Sequence, residues 1–142
     1  MNLIENYKVL DNLGSYDREG NPLDLTVGQL APICVSWSYN GIDHKIESPF
    51  GLVATLLENR NGIAIVAAPY KKSSNKAEII NPDGSVMWDV SEIVKLGCTG
   101  GIFSDVYYVL GELCFFINIR EKDFRFSFDV GTGKPGSLIP SY

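Results

Sequence analysis

The sequence predicts a mostly β protein, an antiparallel meander of hairpins with at most one or two short helices, and three observations carry that prediction. Apolar and polar residues alternate over 33–39, 86–90 and 124–128, the period of a half-buried strand. Asn40-Gly41, Asn61-Gly62 and Asp83-Gly84 stand between apolar stretches, where such dipeptides close hairpins. The 14 Gly and 7 Pro fall largely in turn-like contexts, which disfavours a helix bundle. At 142 residues, with 45% hydrophobic and 20% charged residues, the chain is expected to form one domain over 1–142 with a real core.

Taken in order, residues 3–10 fit either a helix, with Leu3, Tyr7 and Leu10 on one face and Gly14 ending it, or a strand opened by Tyr7-Lys8-Val9; the strand is preferred. Residues 15–24 are polar and turn-rich, hence a surface loop. Ile33, Val35, Trp37 and Tyr39 alternate into a type I′ turn at Asn40-Gly41, and 42–47 return. Residues 50–58 suit an inner strand or a short helix, with a second hairpin turn at Asn61-Gly62. The run IAIVAA at 63–68 is apolar throughout and predicts burial on both faces. Residues 70–76 form a solvated basic loop.

The stretch KAEIINPDGSVMWDV at 76–90 is the clearest hairpin. Pro82 presets φ, and Gly84 supplies the positive φ of a bulge. Shared parity with Val86 and Val90 predicts that Trp88 faces the core. Ser91 is a candidate N-cap for a short helix over 91–96, with Gly97 at C′. Strands at 106–110 and 113–119 pair across Gly111-Glu112, and a tight turn near Lys122-Asp123 leads to Phe124, Phe126 and Phe128. Residues 131–140 read as a Gly/Pro tail.

The net charge of −5 resides in the first part of the chain. Residues 1–58 hold eight acidic side chains against three basic ones, and the remainder holds nine of each. This balance excludes the basic footprint of a nucleic-acid binder and suits a basic protein partner. The three cysteines, Cys34, Cys98 and Cys114, form no CxxC; they suit a reducing compartment and are expected to be packing residues. The opening MNLIENYKVL lacks a secretion signal and no stretch is long enough to span a membrane, so a cytoplasmic, soluble protein without membrane contact is expected.

Motifs for chemistry are absent. No phosphate loop is spelled by GCTGG or GTGKPG, and one histidine, His44, excludes multi-histidine zinc sites. Catalytic residues, cofactor and metal are each read as none. The weakest alternative is a small hydrolase that uses Cys98, in a Gly-rich bend, or paired carboxylates. The residues best placed for a partner are Asp43 and Glu47, which share strand parity, with Tyr39 and His44 beside the Asn40-Gly41 turn.

Two resemblances follow. The hairpin glycines 41, 62 and 84 are spaced by 21 and 22 residues. NPDGSVMWDV resembles the inner hairpin of a β-propeller blade, and DVGTGK the turn between blades. That likeness covers the second half and implies curled sheets, packed sheets or a partial propeller, since the chain is short for four or more blades. A generic antiparallel sheet with common turns is the competing reading. In being small, acidic and without catalytic motifs, the chain also resembles bacterial immunity proteins of toxin–immunity pairs. No residue motif carries this likeness, so it transfers no site. It implies a non-enzymatic protein that neutralises a basic, nuclease-type toxin by covering its active surface. The alternative is a small-ligand or carbohydrate-binding β module that stacks its ligand on exposed Trp and Tyr.

Overall fold

A computed structural model describes residues 3–11, 13, 15–96 and 99–141. They form three antiparallel sheets, with no closed barrel among the described residues. The first sheet has the order β1 (Glu5–Leu10), β2 (Cys34–Tyr39), β3 (Ile42–Glu47). The second runs β4 (Leu52–Leu56), β5 (Ile63–Ala67), β6 (Lys76–Ile80), β7 (Val86–Trp88). The third contains β8 (Ile102–Val109), β9 (Glu112–Ile119) and β10 (Lys122–Asp129), with β11 (Lys134–Pro135) and β12 (Ile139–Pro140) both pairing with β10. Two four-residue helices, α1 (Val27–Leu30) and α2 (Val90–Ile93), complete the set with a 3-10 turn at Lys72–Ser74. No described helix is long and apolar enough to cross a membrane.

The apolar run at 63–68 explains the layering. Successive side chains of a strand point to opposite faces. Ile63 and Ile65 enter a core with Ile4, Val35, Trp37, Leu52 and Ile80. Ala64 and Val66 enter a second core with Ala77, Ile79, Val106, Leu113, Phe115, Ile117, Phe126 and Phe128. The second sheet is therefore the middle layer, and its strand β5 is apolar on both faces. Thr55 Oγ1 donates to the Val106 carbonyl at 2.7 Å, and the Glu58 N–H donates to Tyr108 Oη at 3.0 Å, tying the middle layer to the third sheet. Asn75 locks the same junction: its amide donates to the Phe103 carbonyl at 2.7 Å and accepts from the Phe103 N–H at 2.8 Å.

The 81–84 turn forms as expected. The Gly84 N–H donates to the Asn81 carbonyl at 2.9 Å, and Gly84 has φ +91°. Asp83 accepts from the Ser85 hydroxyl and N–H at 2.6 and 3.0 Å, and these bonds hold its carboxyl below the usual range. A Cβ on Gly84 would meet only His44 Nδ1 at 3.6 Å, an ordinary contact, so the demand for glycine is conformational. Gly84→Val is therefore expected to cost about 1–2 kcal/mol through backbone strain alone, with Gly84→Asn costing less. Thermal melts of the two variants check this; equal stability of Gly84→Val and the parent contradicts it.

Several expectations are corrected. Asn61-Gly62 is not a two-residue turn. The chain turns through 57–62, with Arg60 at φ +57° and the Leu57 N–H donating to the Gly62 carbonyl at 3.0 Å. Gly62 is needed for room instead, because a Cβ there would lie 2.8 Å from the Ile80 carbonyl oxygen. The later turns sit on Leu110-Gly111 (φ +50° and +83°) and Arg120-Glu121 (φ +51° and +68°), one and two residues before their expected places. Strand register fixes these turns over local preference. A bulge sets Ile80 opposite Val86 and Ile79 opposite Trp88. Trp88 packs on the second core as expected, but Val86 is left 52% exposed. Val90 is buried from a helix, not a strand, and that helix is capped by Asp89, not Ser91. Ser91 instead accepts from the Ala77 N–H at 2.7 Å, pinning α2 to β6. The expected C′ at Gly97 lies outside the described residues, as does Gly14. The Gly/Pro tail forms the two short edge strands on β10.

Candidate protein-interaction surface

The β2–β3 hairpin carries all four residues expected to meet a partner. Asn40 and Gly41 take φ +53° and +75°, the two positive angles of a type I′ turn. The turn fixes the register: Tyr39 opposite Ile42, Ser38 opposite Asp43, Trp37 opposite His44, Ser36 opposite Lys45, and Cys34 opposite Glu47. Opposed residues share a face. Asp43, Lys45 and Glu47 therefore lie on the solvent side with Ser36 and Ser38, and all three are exposed. Tyr39 and His44 lie on the inner side and are half-buried. Shared odd numbering does not put Tyr39 with the carboxylates, because a two-residue turn reverses parity.

The inner side docks onto the middle layer. Trp37, 2% exposed, donates from Nε1 to the Pro82 carbonyl at 2.7 Å. The His44 ring stacks on Trp37 with centroids 5.4 Å apart and planes at 14°. Tyr7 and Tyr39 pack against the same core, and burial pushes the Tyr7 phenol up to about 12. His44 is thus a packing partner of Trp37 rather than a fully solvated side chain.

The outer side is polar. Asn6 donates to Ser38 Oγ at 3.3 Å, and Ser38 donates onward to Asp43 Oδ1 at 2.6 Å. Lys45 Nζ lies 2.9 Å from Glu47 Oε1, whose hydrogen bond and charge push the ammonium up. Asn6, Lys8, Ser36, Ser38, Asp43 and Lys45 line an open concavity of about 480 Å³. Asn6 and Ser38 were not among the expected contact residues; the alternation of Ser36 and Ser38 with Val35 and Trp37 already assigned the serines to solvent. Cys34, at the end of this sheet, is buried and free, and burial pushes its thiol up.

Elsewhere, Tyr107 and Tyr108 point to opposite sides as adjacent strand residues should. Tyr107 is 45% exposed and stacks on Phe116 at 4.3 Å. Cys114 is buried and free, and Cys98 lies outside the described residues. Among the described residues, no cluster of three or more His, Cys, Asp or Glu is arranged to hold a metal.

The layered sheets define a class, a small three-sheet antiparallel β protein. A chain in a solved structure described as "Structure of Tne2 in complex with Tni2" is similar in fold, with a TM-score of 0.69 and 15% sequence identity. The likeness covers 99% of this chain and 100% of that one, so the whole layered arrangement is shared. No protein-family model and no curated protein matches the sequence.

Proposed function

We propose that this chain is an immunity-type protein that binds a basic protein toxin in the cytoplasm and neutralises it by covering its active surface. The observation that carries the reading is the fold likeness, over its full length, to a chain solved within a two-protein complex. The acidic excess in residues 1–58 supports the choice of a basic partner, and a nuclease is the toxin class whose own substrate selects for positive charge. Asp43 and Glu47 supply carboxylates on an exposed face where they can steer such a partner. Tyr39 and His44, half-buried beside the same turn, are the remaining contacts in this reading, offered through their exposed parts.

The carbohydrate-binding alternative has less to work with, since Trp37 is in the core and Trp88 is half-buried, its Nε1 donating to the Val130 carbonyl at 2.6 Å. Reversing both carboxylates, Asp43→Lys with Glu47→Lys, is expected to slow association with the cognate toxin roughly tenfold or more at low salt. The effect should shrink as salt rises, and the fold should be unchanged. Stopped-flow association across ionic strengths checks this. Kinetics indifferent to the double reversal would move the contact off this face. Saturable binding of a small molecule with no basic protein partner would favour the alternative.

A further inference from the structure

In an antiparallel pair, residues alternate between those bonded to the neighbouring strand and those whose N–H and C=O point away. The type I′ turn makes Tyr39 and Ile42 a bonded pair, so Trp37–His44 and Val35–Ile46 are bonded too. The Ser48 N–H donating to the Ile33 carbonyl at 2.7 Å continues the same alternation. The N–H and C=O groups of Asp43, Lys45 and Glu47 therefore face outward along the free edge of β3.

The other described edges are guarded. β1 is bulged between Glu5 and Lys8, with Asn6 at φ +54°. β7 is three residues long and bulged, and β8 is bulged between Phe103 and Asp105. β11 and β12 are two residues each and carry Pro135 and Pro140. β4 is held on β8 by Thr55 and on the preceding loop by its Leu52 N–H, which donates to the Pro32 carbonyl at 2.8 Å. β3 is six residues of regular register with no proline and no bulge, and Ile42 at its start is 60% exposed. Its guards are the exposed charges of Asp43, Lys45 and Glu47, so the strand it can template is one of complementary charge.

We infer that β3 binds an extended segment of the partner protein by strand addition. Its chemistry follows from the side chains it would meet. Cations belong opposite Asp43 and Glu47, an anion opposite Lys45, and apolar residues opposite His44 and Ile46. A second copy of this chain is the wrong occupant. The antiparallel register that engages all three outward residues sets Asp43 opposite Glu47 and Lys45 opposite Lys45, and like charges directly opposed are destabilising. The inference takes the partner's identity from the toxin reading, but the edge itself is tested without it.

The probe is the capped peptide Lys-Val-Glu-Val-Lys at millimolar concentration, with Glu-Val-Lys-Val-Glu as control. Hydrogen exchange at the Asp43, Lys45 and Glu47 amides is expected to slow about tenfold with the first peptide and not with the second. Lys45→Pro removes an outward N–H that bonds nothing among the described residues, so it should abolish protection while the β2–β3 pairing persists. If that variant does not fold, Lys45→Glu serves instead and should shift preference to Lys-Val-Lys-Val-Lys. No protection, protection at another strand, or concentration-dependent dimerisation through β3 overturns the inference. Toxin neutralised by wild type and by Lys45→Pro with equal kinetics overturns it too, and leaves the immunity reading standing. Peptide protection without neutralisation of any basic toxin overturns the immunity reading and leaves the edge.

Discussion

Phe115→Ala is expected to destabilise the protein by about 3–5 kcal/mol, the range for truncating a large aromatic residue in a packed core. Phe115 is fully buried at the centre of the core between the middle and third sheets. Its ring stacks on Phe126 with centroids 5.8 Å apart and planes at 16°. Phe103 and Phe128 meet it edge-on at 6.4 and 5.9 Å. Removal therefore forfeits apolar burial, three aromatic contacts and the volume that separates two sheets. Native domains keep only about 5–15 kcal/mol in reserve, so the loss is a large share of the total. Urea unfolding should show a midpoint lowered with the slope unchanged. Phe115→Leu, which leaves a smaller void, should cost less. A Phe115→Ala variant within 1 kcal/mol of the parent would mean that the two sheets do not share one core.

The strands were legible because their signal is periodic. Ile33 to Tyr39 alternates and becomes β2; IAIVAA is continuous and becomes the strand buried on both faces. The 81–84 turn was legible because Pro82, Asp83 and Gly84 each have a local role in it. Leu110 and Arg120-Glu121 were not, because nothing in those residue types asks for positive φ. Long strand pairings on either side impose it, an effect of register that no short window contains. The bulge opposite Ile79–Ile80 escaped for the same reason. The cap of α1 was readable and was missed. Thr26 and Gln29 spell a capping box: Thr26 Oγ1 accepts from the Gln29 N–H at 3.2 Å, and Gln29 Oε1 accepts from the Thr26 N–H at 2.8 Å. Of the candidate surface, Asp43 and Glu47 could be set on one face from parity alone. The separation of Tyr39 from them required the turn length, and the regular, unbulged edge of β3 required a comparison of every described edge.

Trp37→Ala is expected to cost about 3–5 kcal/mol and to loosen one sheet before the others. Trp37 is the largest side chain in the core between the first and middle sheets. It fills that core from β2, carries the stacked His44 of β3, and bonds the Pro82 carbonyl at the tip of the β6–β7 hairpin. Trp37 thus fastens the first sheet to the middle layer by its burial and its bond to Pro82, beside Ile4, whose N–H donates to the Arg60 carbonyl at 3.0 Å, whereas the third sheet is held by Phe115, Thr55, Tyr108 and Asn75. Stability need not be lost uniformly. Amides of β1, β2 and β3 should exchange faster in Trp37→Ala under native conditions, while those of β9 and β10 keep most of their protection. Trp37→Phe separates the contributions. It retains a buried ring but strands the Pro82 carbonyl, an unmet acceptor worth about 1–3 kcal/mol. Because Asp43, Lys45 and Glu47 are presented by the same sheet, partner affinity should fall along with first-sheet protection and in the same order of variants. Uniform loss of protection across all three sheets would show that the layers unfold as one unit. Full affinity in Trp37→Ala despite a loosened first sheet would place the contact on a different layer.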